Sequence, residues 1–133
     1  MAFDSQIVTL TIYAEASSAS QAEREAVAHV ILNRVNSGRW SKTPAAVCLD
    51  YMQFSAWNGD KGDRRNLQRA MIAPDTDPIL QQCLGAWVWA KNEPDPTNGA
   101  THYVAKSIPE PYWAKDATMT LETDKFRFYA GVK

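Results

Sequence analysis

The stretch that most constrains this chain is Ser20 to Gly38. Ser20 followed by Glu23 forms a capping box, in which each residue satisfies a backbone N–H at a helix start. Ala26, Val27, Val30, Ile31 and Val35 then recur at helical spacing, and Gly38 is a natural C-terminal stop. A helix with both ends marked and one apolar stripe must find a partner to bury that stripe. The segment before it supplies one. Asp4 can cap a helix running to about Ala16, with Ile7, Leu10 and Ala14 on one face, and Ser17 to Ala19 is a break of small residues. Glu15 therefore falls at the C-terminal end of the first helix, within Thr11-Ile12-Tyr13-Ala14-Glu15-Ala16. Apolar neighbours and a helix C-terminus both disfavour a negative charge, so a raised pKa is expected there. That suits a proton donor working near neutral pH.

The rest of the chain reads as further helices and a little β structure. Thr43-Pro44 opens a third helix carrying Val47, Cys48 and Tyr51. Met52 to Asp60 is an irregular loop in which aromatics alternate with amide and hydroxyl groups, the composition of a ligand-facing wall. A polar helix is expected over Asp63 to Ala73. Asp77-Pro78 opens another, carrying Ile79, Cys83, Ala86, Trp87 and Ala90. Pro94 to Gly99 is rich in turn residues, Ala100 to Ala105 reads as extended, and Thr118–Leu121 with Phe126–Tyr129 suggests a hairpin. The expected class is mostly α (α+β), with a small β element near the C-terminus, in one domain over residues 1–133.

Charge and cysteine content exclude several function classes. The net charge of −1 gives no global pull toward nucleic acid or an anionic membrane. The one basic run, Lys61, Arg64, Arg65 and Arg69, reads as a solvated helix face. Two cysteines and two histidines, widely spaced, offer no standard zinc pattern and no disulfide framework, so neither metal nor cofactor is expected. No run approaches the length of a membrane span, and no signal peptide is visible at the N-terminus.

Cleaving a glycosidic bond needs an acid to protonate the leaving oxygen and something to attack the other face of the sugar. Hydrolases use a second carboxylate, whereas lytic transglycosylases let a hydroxyl of the same sugar attack. Glu15 has no carboxylate partner close in sequence, since Glu23 is explained by capping. Asp50, Asp60 and Asp63 are the possible spatial partners.

The ordered series Tyr13-Ala14-Glu15-Ala16, Ala26 to Val35, Val47-Cys48, Gln53-Phe54-Ser55, Asp95 to Tyr103, Pro111-Tyr112-Trp113 and Phe128-Tyr129 resembles the SleB/CwlJ-type cell-wall hydrolase family. The resemblance implies a lysozyme-like fold that cleaves peptidoglycan glycan strands between N-acetylmuramic acid and N-acetylglucosamine, as a lytic transglycosylase. It places the acid on Glu15. It lines the glycan groove with Gln53, Phe54 and Ser55 and with Gly99 to Tyr103, which includes Thr101, His102 and Tyr103. Trp57 and Tyr129 are added as sugar contacts, while Asn33 and Arg34 are expected to brace the groove loop and His29 to be structural. The chain departs from the family pattern at Ser17, Ser18 and Ala19, where Arg-Gly-Glu is common, and at Phe126, where a histidine is common.

Together these features suggest a small bacteriophage endolysin. It would be a monomer held in the host cytoplasm until a holin gives it access to the wall and periplasm, without inserting in the membrane itself. The alternatives are a hydrolytic muramidase, a spore-cortex or wall-remodelling enzyme, and an inactive glycan-binding or virion structural protein.

Overall fold

The computed structural model describes residues 2–50, 57 and 61–133, with the side chains of 61–63 excepted. Among the described residues five α-helices come first: α1 (Phe3–Ala16), α2 (Gln21–Ser37), α3 (Pro44–Leu49), α4 (Lys61–Ile72) and α5 (Pro78–Asn92). Three strands follow: β1 (His102–Ala105), β2 (Thr118–Glu122) and β3 (Phe126–Ala130). They form an antiparallel sheet in the order β1-β3-β2, with a register irregularity between Met119 and Leu121. This is the mostly helical α+β class expected, with its β part at the C-terminus. No described helix is long and apolar enough to cross a membrane.

The local signals for α2, α3 and α5 act as read. Ser20 accepts from the Glu23 backbone N–H, and the Glu23 side chain accepts from that of Ser20. Gly38 closes α2 at φ 78°, a left-handed conformation that costs glycine little. Thr43 and Asp77 cap α3 and α5 ahead of Pro44 and Pro78.

The start of α1 differs from expectation. Ala2 stands at its N-cap and makes no side-chain bond. Asp4 instead accepts from the Ala45 backbone N–H at 3.0 Å, so it caps α3 rather than its own helix. The buried face of α1 also differs. Val8 and Ile12 are fully buried along with Ala14 and Ala16, while Ile7 and Leu10 are half-buried. The cause is position: α1 contacts α2, α3, α4 and α5, so it is enclosed on several sides and no single stripe defines it.

Val8 and Ile12 join Val27, Val30 and Ile31 of α2, Val47 and Cys48 of α3, Trp87 of α5 and Phe128 of β3 in the main core. A second small core, Ala114, Tyr129 and Val132, lies with Trp113 and Val104 on the other side of the sheet. Cys48 and Cys83 are free thiols whose pKa values burial pushes up to about 12 and about 11. They are inert packing groups, not nucleophiles.

Candidate active site

Glu15 lies on the last turn of α1 and is half-buried. A helix C-terminus leaves carbonyls without intrahelical partners. Arg24, itself buried, supplies donors: its Nε binds the Ala16 carbonyl at 3.0 Å and its Nη2 the Ser17 carbonyl at 2.7 Å. The same guanidinium donates to Gln21 and to Gln82 of α5. Asn66 of α4 donates to the Ala14 carbonyl at 3.3 Å. The turn that carries Glu15 is therefore tied to three other helices.

Across from it, the Tyr103 hydroxyl donates to Glu15 Oε1 at 2.5 Å. Tyr103 leaves β1 on the helix-facing side, with its ring against Phe126 and Phe128 at 5.5 and 5.7 Å. Phe126 is buried and holds this ring edge-on. Burial lowers the pKa of the Arg34 guanidinium, and the carboxylates of Glu15 and Asp50 oppose that shift without overcoming it.

Beside this pair a cleft of about 400 Å³ opens, lined by Glu15, Ser18, Ala105, Lys106, Ser107, Asp124, Lys125 and Phe126. Such a group, a carboxyl oriented by a phenol at the edge of an open cleft, can donate and take back a proton.

The loop expected to line the groove is braced from α2. Asn33 Nδ2 donates to Asp95 at 2.9 Å and to the Ala100 carbonyl at 2.8 Å, and Arg34 Nε to the Thr101 carbonyl at 2.6 Å. Asp95 also accepts from the backbone N–H groups of Thr97 and Gly99. Burial would raise its carboxyl, but the bonds from Thr97, Asn33 and Gly99 outweigh this and hold it low. His29 is buried, 3.7 Å from Asp95 and edge-on to Trp89. These are the structural roles read from the sequence.

The predicted ligand residues divide. Gln53, Phe54 and Ser55 lie outside the described residues, as does Asp60. Trp57 is half-buried, and its indole N–H donates to Thr11 Oγ1 at 2.9 Å, one helical turn before Glu15. Strand alternation separates His102 from Tyr103, because successive side chains point to opposite faces. His102 sits between Trp40 and Trp113, with Nδ1 2.9 Å from Thr101 Oγ1. Burial, with the charges of Arg34 and Arg39, pushes its pKa down to about 4. Thr101 is half-buried, and its backbone N–H donates to the Tyr129 carbonyl. Tyr129 is a correction: it is 3% exposed, edge-on to Trp113 in the second core, and closed to a sugar.

Asp50 accepts from the Ser41 hydroxyl and N–H, away from the cleft lining. Asp124, not singled out in the sequence, shares the cleft with Glu15. Its place on the β2–β3 turn gave no local signal.

The sequence pattern described as Cell Wall Hydrolase matches residues 18–129. The chain belongs to that family. The match begins just past Glu15, so the role of this glutamate rests on its own surroundings. Two solved structures share the fold of this cell wall hydrolase. The catalytic domain of the Bacillus cereus SleB protein is 24% identical, with a TM-score of 0.76, covering 96% of this chain and 89% of that one. The catalytic domain of the germination-specific lytic transglycosylase SleB from Bacillus anthracis is also 24% identical, with a TM-score of 0.75, covering 96% and 93%. No curated protein matches the chain.

Proposed function

We propose that this cell wall hydrolase cuts the glycan strand of peptidoglycan between N-acetylmuramic acid and N-acetylglucosamine, with Glu15 as general acid and then general base. The observation that carries the reading is the Tyr103 hydroxyl on Glu15 Oε1, at the edge of an open cleft. In the first step the Glu15 carboxyl gives its proton to the glycosidic oxygen, and the bond to muramic C1 breaks with oxocarbenium character. The C6 hydroxyl of the same sugar then attacks C1, and its proton returns to the Glu15 carboxylate. The products are a 1,6-anhydromuramic end and a free N-acetylglucosamine 4-hydroxyl, and no water is consumed. Tyr103 keeps the carboxyl aimed during both transfers, a gain of orientation rather than of chemistry. Trp57, Thr101 and the segment Gln53 to Ser55 are proposed sugar contacts along the groove.

The Bacillus anthracis relative is a germination-specific lytic transglycosylase, which favours the anhydro outcome here. A muramidase is the second reading, because Asp124 lines the same cleft and could activate a water. Digestion of purified sacculi followed by mass analysis of the muropeptides decides. Anhydro ends are expected, and reducing muramic ends would give the reaction to a water-activating carboxylate. No release with retained binding to sacculi would make this a glycan-binding protein.

The proposed setting is phage-driven lysis, with a monomer waiting in the host cytoplasm for a holin. Produced in a Gram-negative cell, it should leave an intact culture standing and clear it once the inner membrane is permeabilised. Lysis without permeabilisation would overturn that setting.

A further inference from the structure

We infer that the cleft running from Glu15 to the β2–β3 turn is a subsite for the stem peptide of the substrate, with Lys106 and Lys125 reading its carboxylates. This rests on the glycan-cleaving reading above. Strands of N-acetylated sugars carry no formal charge, and the lactyl carboxyl of muramic acid is taken up in the amide that starts the peptide. Ammonium groups beside the acid therefore have nothing to pair with on the glycan. The free carboxylates of this polymer are on its peptides.

The position agrees. The peptide leaves muramic acid at C3, on the ring whose C1 reacts, so it must emerge next to the proton donor. The cleft that Glu15 lines is also lined by Ser18, Ser107, Lys106 and Lys125.

The two lysines are set abreast. Lys106 N–H donates to the Lys125 carbonyl at 2.8 Å, one step beyond the Ala105–Phe126 pair of the sheet. Both side chains are exposed; Lys106 meets Glu122 at 3.8 Å, and Asp124 stands on the same rim. An anion entering the cleft can reach either ammonium group. The rim is also rigid: Glu23 accepts from the Lys125 backbone N–H at 2.8 Å and from the Thr123 hydroxyl at 2.6 Å. A fixed backbone lowers the ordering cost of binding, which then falls on the lysine side chains alone.

The test uses two substrates. Glycan strands with intact peptides and the same strands stripped by an amidase, their freed lactyl carboxyls then capped as methyl amides, would be offered to the wild type and to the double variant Lys106→Ala, Lys125→Ala. The ratio of kcat/KM on peptide-bearing over peptide-free strands should fall at least fivefold in the variant. An unchanged ratio would overturn the subsite. A second measurement does not depend on turnover. Titration of a disaccharide-tetrapeptide into 15N-labelled protein should shift the amides of Ser18, Ser107 and Lys125, and the disaccharide with its lactyl carboxyl capped as a methyl amide should not. Shifts without any cleavage of sacculi would retain the subsite and remove the catalytic reading. Cleavage with no peptide-dependent shift would do the reverse.

Discussion

Glu15 stands on the last turn of α1 and Glu23 on the first turn of α2, with a short break of small residues between them. Glu23 is 3% exposed and sits at the positive end of its helix. It accepts from the Ser20, Lys125 and Thr123 donors, and burial, which would raise its carboxyl, loses to those bonds, so its pKa is lowered. Glu15 sits at the negative end of its helix, faces a phenol and opens on a cleft. The same side chain is thus a fixed structural anion in one place and a candidate proton donor in the other. Helix polarity and access decide which.

The largest expected effect is on Glu15. Glu15→Gln keeps the shape and removes the transferable proton, and should lower turnover on sacculi by at least about a hundredfold with an unchanged melting temperature. Retained activity would take Glu15 out of the reaction. Tyr103→Phe tests whether the phenol matters to that glutamate. A loss of about tenfold to a hundredfold in kcat is expected, and an unaltered kcat would reduce Tyr103 to packing.

Glu23→Ala should cost stability instead, about 2–4 kcal/mol, since it breaks a capping box and orphans the Lys125 and Thr123 donors. Chemical denaturation measures it. Because the folded pKa lies below the ordinary 4.5, this stabilisation is complete above that value and fades as pH falls through the folded pKa. The gap between wild type and variant should therefore shrink in acid. A gap constant with pH would mean that the charge is irrelevant.

The smallest effect concerns His102. Its pKa falls from 6.5 unfolded to about 4 folded, so between those values the unfolded chain takes up a proton that the folded one refuses. Stability should decline as pH drops from 6.5 toward 4, and His102→Asn should flatten part of that slope. Identical slopes would show that the ring titrates normally between its two tryptophans.

Much of this fold is legible in the residues, for reasons that differ by site. Ser20, Gly38, Thr43 and Pro78 act through neighbours a few residues away, so their effects can be read locally, as can the capping half of Glu23; its bonds to Thr123 and Lys125 span 100 and 102 positions and cannot. Asp4 shows the limit: the residue type announces a cap, but the residue it serves lies 41 positions on. The Glu15–Tyr103 pair spans 88 residues, and no local pattern joins them. The site residues of β1 are different, because strand alternation is itself a local signal. Along His102–Ala105 it implies that His102 and Tyr103 cannot both face the same groove. Tyr129, opposite His102 in the sheet register, follows it to the closed side.

Arg24 and Glu23 are adjacent in the chain, yet they answer acid differently. A guanidinium stays protonated at every pH the molecule will meet, so the clasp on the Ala16 and Ser17 carbonyls does not weaken with acidification. The carboxylate next door does let go, releasing the hairpin loop that carries Lys125. Acid that carries the pH below 4.5 and through the lowered pKa of Glu23 should thus slacken the far bank of the cleft while the seat of Glu15 stays firm, splitting loss of grip from loss of chemistry along a single titration.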